Sequence, residues 1–155
     1  MKIINLYPKE LPHLYKQNYE IKWRIKEGRV LYDGNSLLIF RKHKRKTKIS
    51  LNSNMIVNKG DFTLNQIISN RIFRGGAEKL LNQFIDYIKD NGGENIFLSV
   101  RSDNSNAISF YERNGFKFID NTYWNEQGKK LDGKIFSLQL KSNWIWIEKN
   151  SQRGK

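Results

Sequence analysis

Ala77, Leu80, Leu81, Phe84, Ile85 and Ile88 recur at i, i+3, i+4, i+7, i+8 and i+11. That spacing draws one apolar stripe along a helix, with Glu78, Lys79, Asn82, Gln83, Asp86 and Lys89 on the opposite face. A one-faced helix must bury its stripe against another layer. The sequence supplies that layer at once. Asn91-Gly92-Gly93 ends the helix, glycine offering the left-handed cap, and Ile96-Phe97-Leu98-Ser99-Val100 follows as a short apolar strand of the kind found in a sheet covered on both faces.

The flanking segments extend the same plan. Residues 29–32 and 36–40 read as two strands joined by the turn Asp33-Gly34-Asn35. Residues 49–57 and 62–68 read as strands separated by Asn58-Lys59-Gly60-Asp61. Asp103 or Asn104 can cap a second short helix that Asn114-Gly115 closes. Residues 116–119 form a strand, 120–132 a loop carrying Tyr123 and Trp124, and 135–140 the last strand, with Phe136, Leu138 and Leu140 on one face. Residues 2–7 read as a further strand and 8–26 as a poorly periodic helix, and the polar, basic end carries Trp144 and Trp146. The order of strands and helices gives a mixed α/β sheet in a single domain spanning residues 1–155.

Composition narrows the chemistry. With no cysteine, thiolate catalysis, disulfides and sulfur ligation of a metal are excluded, and no metal site is expected. No apolar run reaches the roughly 18 residues that span a bilayer, and residues 1–8 lack the pattern of a secretory signal. A cytoplasmic protein without membrane contact is the expectation. The net charge is +13, from 28 Lys+Arg against 15 Asp+Glu. Such an excess favours an anionic partner: nucleic acid, the ribosome or an anionic cofactor. AT-rich codons for Lys, Asn and Ile would account for part of the bias. The densest stretch, Arg41-Lys42-His43-Lys44-Arg45-Lys46-Thr47-Lys48, is either a solvated turn between strands or a basic finger that grips phosphates.

The turn into the long helix carries its own chemical logic. Gly75, Gly76 and Ala77 open that helix, whose first N–H groups are unpaired and carry about half a positive charge. Glycine there lets the backbone approach a pyrophosphate, and Arg71 and Arg74 sit beside it for charge-assisted contacts. The competing reading is a strand-to-helix turn whose glycines serve close packing.

Two segments resemble the GNAT acetyltransferase superfamily. Following a strand-end valine, Val100, the segment 104–116 matches the family pattern N-x-x-A-x-x-F-Y-E-x-x-G-F at Asn104, Ala107, Phe110, Tyr111, Glu112, Gly115 and Phe116. The segment 71–81 is similar to the family's pyrophosphate loop, Q/R-x-x-G-x-G/A followed by a Leu-Leu-like pair, at Gly75, Ala77, Leu80 and Leu81, with Ile72 where the family has Gln or Arg. The resemblance covers roughly residues 62–140. It implies a GNAT-type fold, with helices on both faces of the sheet and the pantetheine of acetyl-CoA between two splayed parallel strands, here 62–68 and 96–100. It implies an acetyl-CoA-dependent N-acetyltransferase. In that reading a backbone N–H near Ile67 or Ile68 polarises the thioester carbonyl, Tyr111 protonates the leaving thiolate, and Asn104 hydrogen-bonds pantetheine or caps its helix, or both.

The general base is the gap in that reading. Residues 63–68 hold no carboxylate; Asp61 and Glu20 are weak candidates, and a water relay or an amine that arrives neutral would serve instead. His13 and His43 are expected to be exposed and uninvolved. Tyr123, Trp124, Trp144 and Trp146 either line an acceptor pocket, stack on bases or complete a core or a homodimer contact. The acceptor is an amine, on a small molecule or on an anionic macromolecule such as nucleic acid, tRNA or a ribosomal component. The competing class is a noncatalytic GNAT-like module that binds nucleic acid through its basic surface. Monomer and homodimer both remain open.

Overall fold

The computed structural model describes residues 30–33, 36–69 and 75–140. The expected strand at 2–7, the helix at 8–26, Arg71, Arg74, Trp144 and Trp146 lie outside the described residues. The chain forms two compact units, one containing residues up to Lys42 with Phe62–Asn91, the other His43–Asp61 with the chain from Gly92 onward.

In the first unit, β1 (Val30–Tyr32) pairs antiparallel with β2 (Ser36–Lys42), which pairs antiparallel with β5 (Phe62–Ser69). Asp33 fixes the β1–β2 turn by accepting the Ser36 N–H at 2.7 Å. Helix α1 (Gly76–Asp90) buries Leu80, Leu81, Phe84 and Ile88, the stripe read from the sequence. Burying those four side chains is worth on the order of 6–12 kcal/mol. Phe84 packs on Phe40 from β2 and Phe62 from β5, with ring centroids 5.1 and 6.3 Å away. The β2–β5 register slips by one residue between Ile39 and Phe40, so Asn65 is the extra residue of a bulge just ahead of Ile67 and Ile68.

In the second unit, β6 (Asn95–Arg101) pairs antiparallel with β8 (Lys129–Gln139), and β8 with β7 (Lys117–Glu126). Helix α2 (Ser105–Arg113) follows β6. Ile96, Leu98, Phe116, Ile135 and Phe136 are buried here. A separate two-stranded ribbon pairs β3 (Thr47–Lys48) with β4 (Ile56–Val57).

Three expectations change. The segment 120–132, expected as a loop, is a continuous hairpin: β7 runs to Glu126 and turns through Gln127 and Gly128, both at positive φ (51° and 78°), into β8. Two residues at positive φ match the twist of the flanking strands, and their side chains gave no hydrophobic alternation to read. The strand expected over 49–57 keeps only Ile56–Val57, because Ser50, Asn52 and Ser53 bond to β7 instead of to a strand partner. His43, expected at the surface, is only 4% exposed, with its backbone N–H donating to the Asp61 carbonyl (2.8 Å) and its carbonyl accepting from Gly60 N–H (2.9 Å).

Candidate active site

Gly75, Gly76 and Ala77 stand together at the start of α1. Gly75 takes φ 78°, a conformation that favours glycine, and its carbonyl accepts the Lys79 N–H at 3.0 Å as the helix begins. Among the described residues no side chain caps this end. The first N–H groups of a helix have no partner within it, and the helix dipole favours an anion there. Glu78, exposed in the same turn, works against a phosphate by like charge.

Gly76 takes the close-packing role of the competing reading, against a partner the sequence did not disclose. A Cβ placed there would lie 2.9 Å from the Ser36 hydroxyl oxygen. Ser36 is fully buried, and its hydroxyl has no hydrogen-bond partner among the described residues. A lone serine at the head of the apolar run Ser36-Leu37-Leu38-Ile39-Phe40 was the available signal. A left-handed Gly75 with open space where its Cβ would stand is compatible with an anion at this turn, whereas the missing Cβ of Gly76 serves packing on Ser36.

Ile67 and Ile68 lie on β5, opposite Leu38 and Leu37 of β2. Ile68 packs against the cluster of Val30, Tyr32, Leu37 and Ile39, so its side chain is structural and only its backbone is available to chemistry.

The other predicted residues belong to the second unit. Asn104 is the N-cap of α2: its Oδ1 accepts the Ala107 N–H at 3.2 Å. Its Nδ2 donor has no partner among the described residues. Cap and ligand contact are therefore compatible in one side chain. Tyr111, near the end of α2, is wedged between Phe110 and Phe116, with centroids 5.4 and 5.6 Å away, both edge-on. Burial pushes its phenol up to about 12. It stays protonated through the physiological range as a hydrogen-bond donor. A phenol held that high is suited to donating a hydrogen bond to an anion rather than to giving up its proton.

Asp61 is removed as a candidate base. It is 4% exposed, and its carboxylate accepts from Asn58 N–H (2.8 Å) and Asn95 Nδ2 (3.1 Å). Glu20 and His13 lie outside the described residues. Tyr123 is 40% exposed under Lys130, whose Nζ sits 4.4 Å from the ring centroid, and Trp124 lies across Gly133. Among the described residues no group of His, Asp and Glu is placed to hold a metal.

Residues 73–116 match the model of the acetyltransferase (GNAT) family, a stretch that runs from just before α1 through α2 to Phe116. The ribosomal-protein-S18-alanine N-acetyltransferase of Escherichia coli shares the fold at 22% identity, over 86% of this chain and 90% of that one, with a TM-score of 0.54. YncA of Salmonella typhimurium, solved with its cofactor acetyl-CoA, matches at 17% identity and TM-score 0.53 over 70% of this chain. A chain of the NatC complex bound to Gag peptide and CoA matches at 18% identity and TM-score 0.52 over 68% of this chain. The match spans 59% of the YncA chain and 60% of the NatC chain. Comparison with curated protein sequences returned no match.

The fold is the one shared by these acetyltransferases, and residues 73–116 are the segment that matches the GNAT family's model.

Proposed function

We propose that this chain, acting as one domain over residues 1–155, transfers an acetyl group from acetyl-CoA to an amine. The observation that carries this reading is the glycine-opened start of α1, with no side-chain cap among the described residues, lying inside the family segment. Acetyl-CoA supplies a thioester carbonyl open to attack by an amine. The Gly76 and Ala77 N–H groups hold the pyrophosphate, with Arg71 and Arg74 adding charge from the preceding segment. A backbone N–H at Ile67 or Ile68 polarises the carbonyl, Asn104 Nδ2 steadies the pantetheine, and the Tyr111 hydroxyl donates to the departing sulfur. With Asp61 bound up in structure, the amine's proton leaves through water.

The acceptor is proposed to be an amine on an anionic macromolecule or its close associate. The net charge of +13 supports this, as does the likeness in fold to an enzyme that acts on a ribosomal protein. No helix among the described residues is long and apolar enough to cross a membrane. A cytoplasmic location is part of the proposal.

Thermal unfolding with and without acetyl-CoA tests the reading. Ligand at about 100 times its dissociation constant adds roughly 2.7 kcal/mol and raises Tm by several degrees. An unmoved Tm at millimolar acetyl-CoA sinks it. The absence of a carboxylate base among residues 63–68 favours one alternative, a noncatalytic module. In that version the altered loop holds no CoA and the basic surface binds nucleic acid, so acetyl-CoA neither moves Tm nor yields free CoA thiol on any amine.

A further inference from the structure

The ribbon β3–β4 and its flanks concentrate charge of one sign. Residues 44–59 contain Lys44, Arg45, Lys46, Lys48 and Lys59 and no Asp or Glu. All five cations are exposed, and none has an ion-pair partner among the described residues. Of the carboxylates beside it, Asp61 is buried and Asp120 half-buried, and both are occupied by hydrogen bonds. Asp61 accepts from Asn58 N–H and Asn95 Nδ2, and Asp120 accepts from the Ser53 hydroxyl at 2.6 Å. The outward side of the ribbon is therefore cationic without local compensation.

The ribbon is also held in place. At its base His43 N–H donates to the Asp61 carbonyl and Gly60 N–H to the His43 carbonyl. At its far end the hydroxyls of Ser50 and Thr122 meet at 3.0 Å, and Asn52 Nδ2 donates to the Tyr123 carbonyl at 2.8 Å. Val57 is fully buried, while its neighbour Ile56 and the paired Lys48 face outward. A floppy lysine run would have to be ordered on binding; here the backbone that carries the charges is fixed beforehand.

We propose that this anchored ribbon is a docking finger for the phosphodiester backbone of a nucleic acid. Point charges without base-reading side chains suit sequence-independent phosphate contact. Leu51 at the tip is 93% exposed, but one leucine falls short of the apolar face by which a surface element enters a bilayer, so a lipid surface is the weaker fit. The finger stands independently of acetyl transfer: a chain that failed to bind CoA could still bind nucleic acid through it.

The test uses the full chain and a fluorescent single-stranded RNA of mixed sequence, titrated across salt concentrations. The variant Lys44→Ala/Arg45→Ala/Lys46→Ala/Lys48→Ala is compared with a charge-matched control, Lys79→Ala/Lys89→Ala/Arg113→Ala/Lys117→Ala. Removing four phosphate-neutralising charges lowers the slope of log K against log salt by about 3 on a single strand. The finger variant should show that fall and at least a tenfold weaker affinity, with little change in the control. Unchanged circular dichroism and an unchanged CoA-induced Tm shift verify that the variant is folded. Equal weakening in both variants would reduce the effect to net charge and overturn the finger. So would absence of RNA binding, or binding to phosphatidylserine vesicles in place of RNA that disappears on Leu51→Ser.

Discussion

The Ser36 hydroxyl and the Cα of Gly76 face each other so closely that a methyl group on Gly76 would stand 2.9 Å from the oxygen. Strand β2 thus sets the residue at the first position of α1, while the N-cap before it is Gly75.

Gly76→Ala gains about 1 kcal/mol of helix propensity but meets a buried hydroxyl, with overpacking of about 1–3 kcal/mol. The net expectation is a small loss, of order 1 kcal/mol. Ser36→Ala removes a buried hydroxyl without a partner and should be neutral or stabilising by about 1 kcal/mol. Because the two side chains share one space, the double variant should be more stable than the sum of the singles by about 1 kcal/mol. Urea denaturation of the four proteins measures that coupling; strict additivity would mean the contact is relieved elsewhere.

Asn104 separates cap from ligand contact. Asn104→Ala should lose about 1 kcal/mol of stability, while Asn104→Asp keeps an acceptor for the Ala107 N–H and should hold stability near the parent. Both lose the Nδ2 donor. If that donor meets pantetheine, both weaken acetyl-CoA binding in calorimetry. A fully active, tightly binding Asn104→Asp would leave Asn104 as a cap alone.

Tyr111→Phe should lower turnover by about 100-fold or more while leaving the acetyl-CoA Tm shift intact. Its titration also predicts a pH signature. The phenol sits at about 12 in the folded chain and near 10 unfolded, so folding favours the protonated form. The corresponding stability is complete below pH 10 and lost as pH rises to about 12, by on the order of 2–3 kcal/mol. The parent should lose stability relative to Tyr111→Phe over that window. Parallel curves would mean the ring is more hydrated than its packing between Phe110 and Phe116 implies.

Gly133→Ala tests the β7–β8 hairpin. A Cβ there would run into the six-membered ring of Trp124, in a backbone that leaves little room to retreat. A loss of about 2 kcal/mol or more is expected. Trp124→Ala/Gly133→Ala should recover part of it; failure to recover any would place the strain elsewhere.

The residues themselves dictated the elements whose burial repeats locally. The stripe from Ala77 to Ile88 became α1, the run from Ile96 to Val100 became β6, and Asn104 became the cap of α2. A helix or strand writes its buried face into the spacing of its own side chains, so one segment suffices to read it. The same local reading yielded the helix-opening glycines and, through the matched segment, the place of Tyr111.

Tertiary structure decided what depends on a distant partner. Residues 120–132 carry too few apolar side chains to announce strands, yet backbone pairing from Asp120↔Ile135 to Glu126↔Lys129 makes them a hairpin. Residues 49–55 look like a strand but bend away, because Ser50, Asn52 and Ser53 find bonds on β7 some seventy positions later. His43 and Asp61 went inward for the same reason, and Ser36 acquired its neighbour only when β2 met α1. Hydrogen bonds and steric contacts between remote residues leave no period in the chain, so only the folded molecule could supply them.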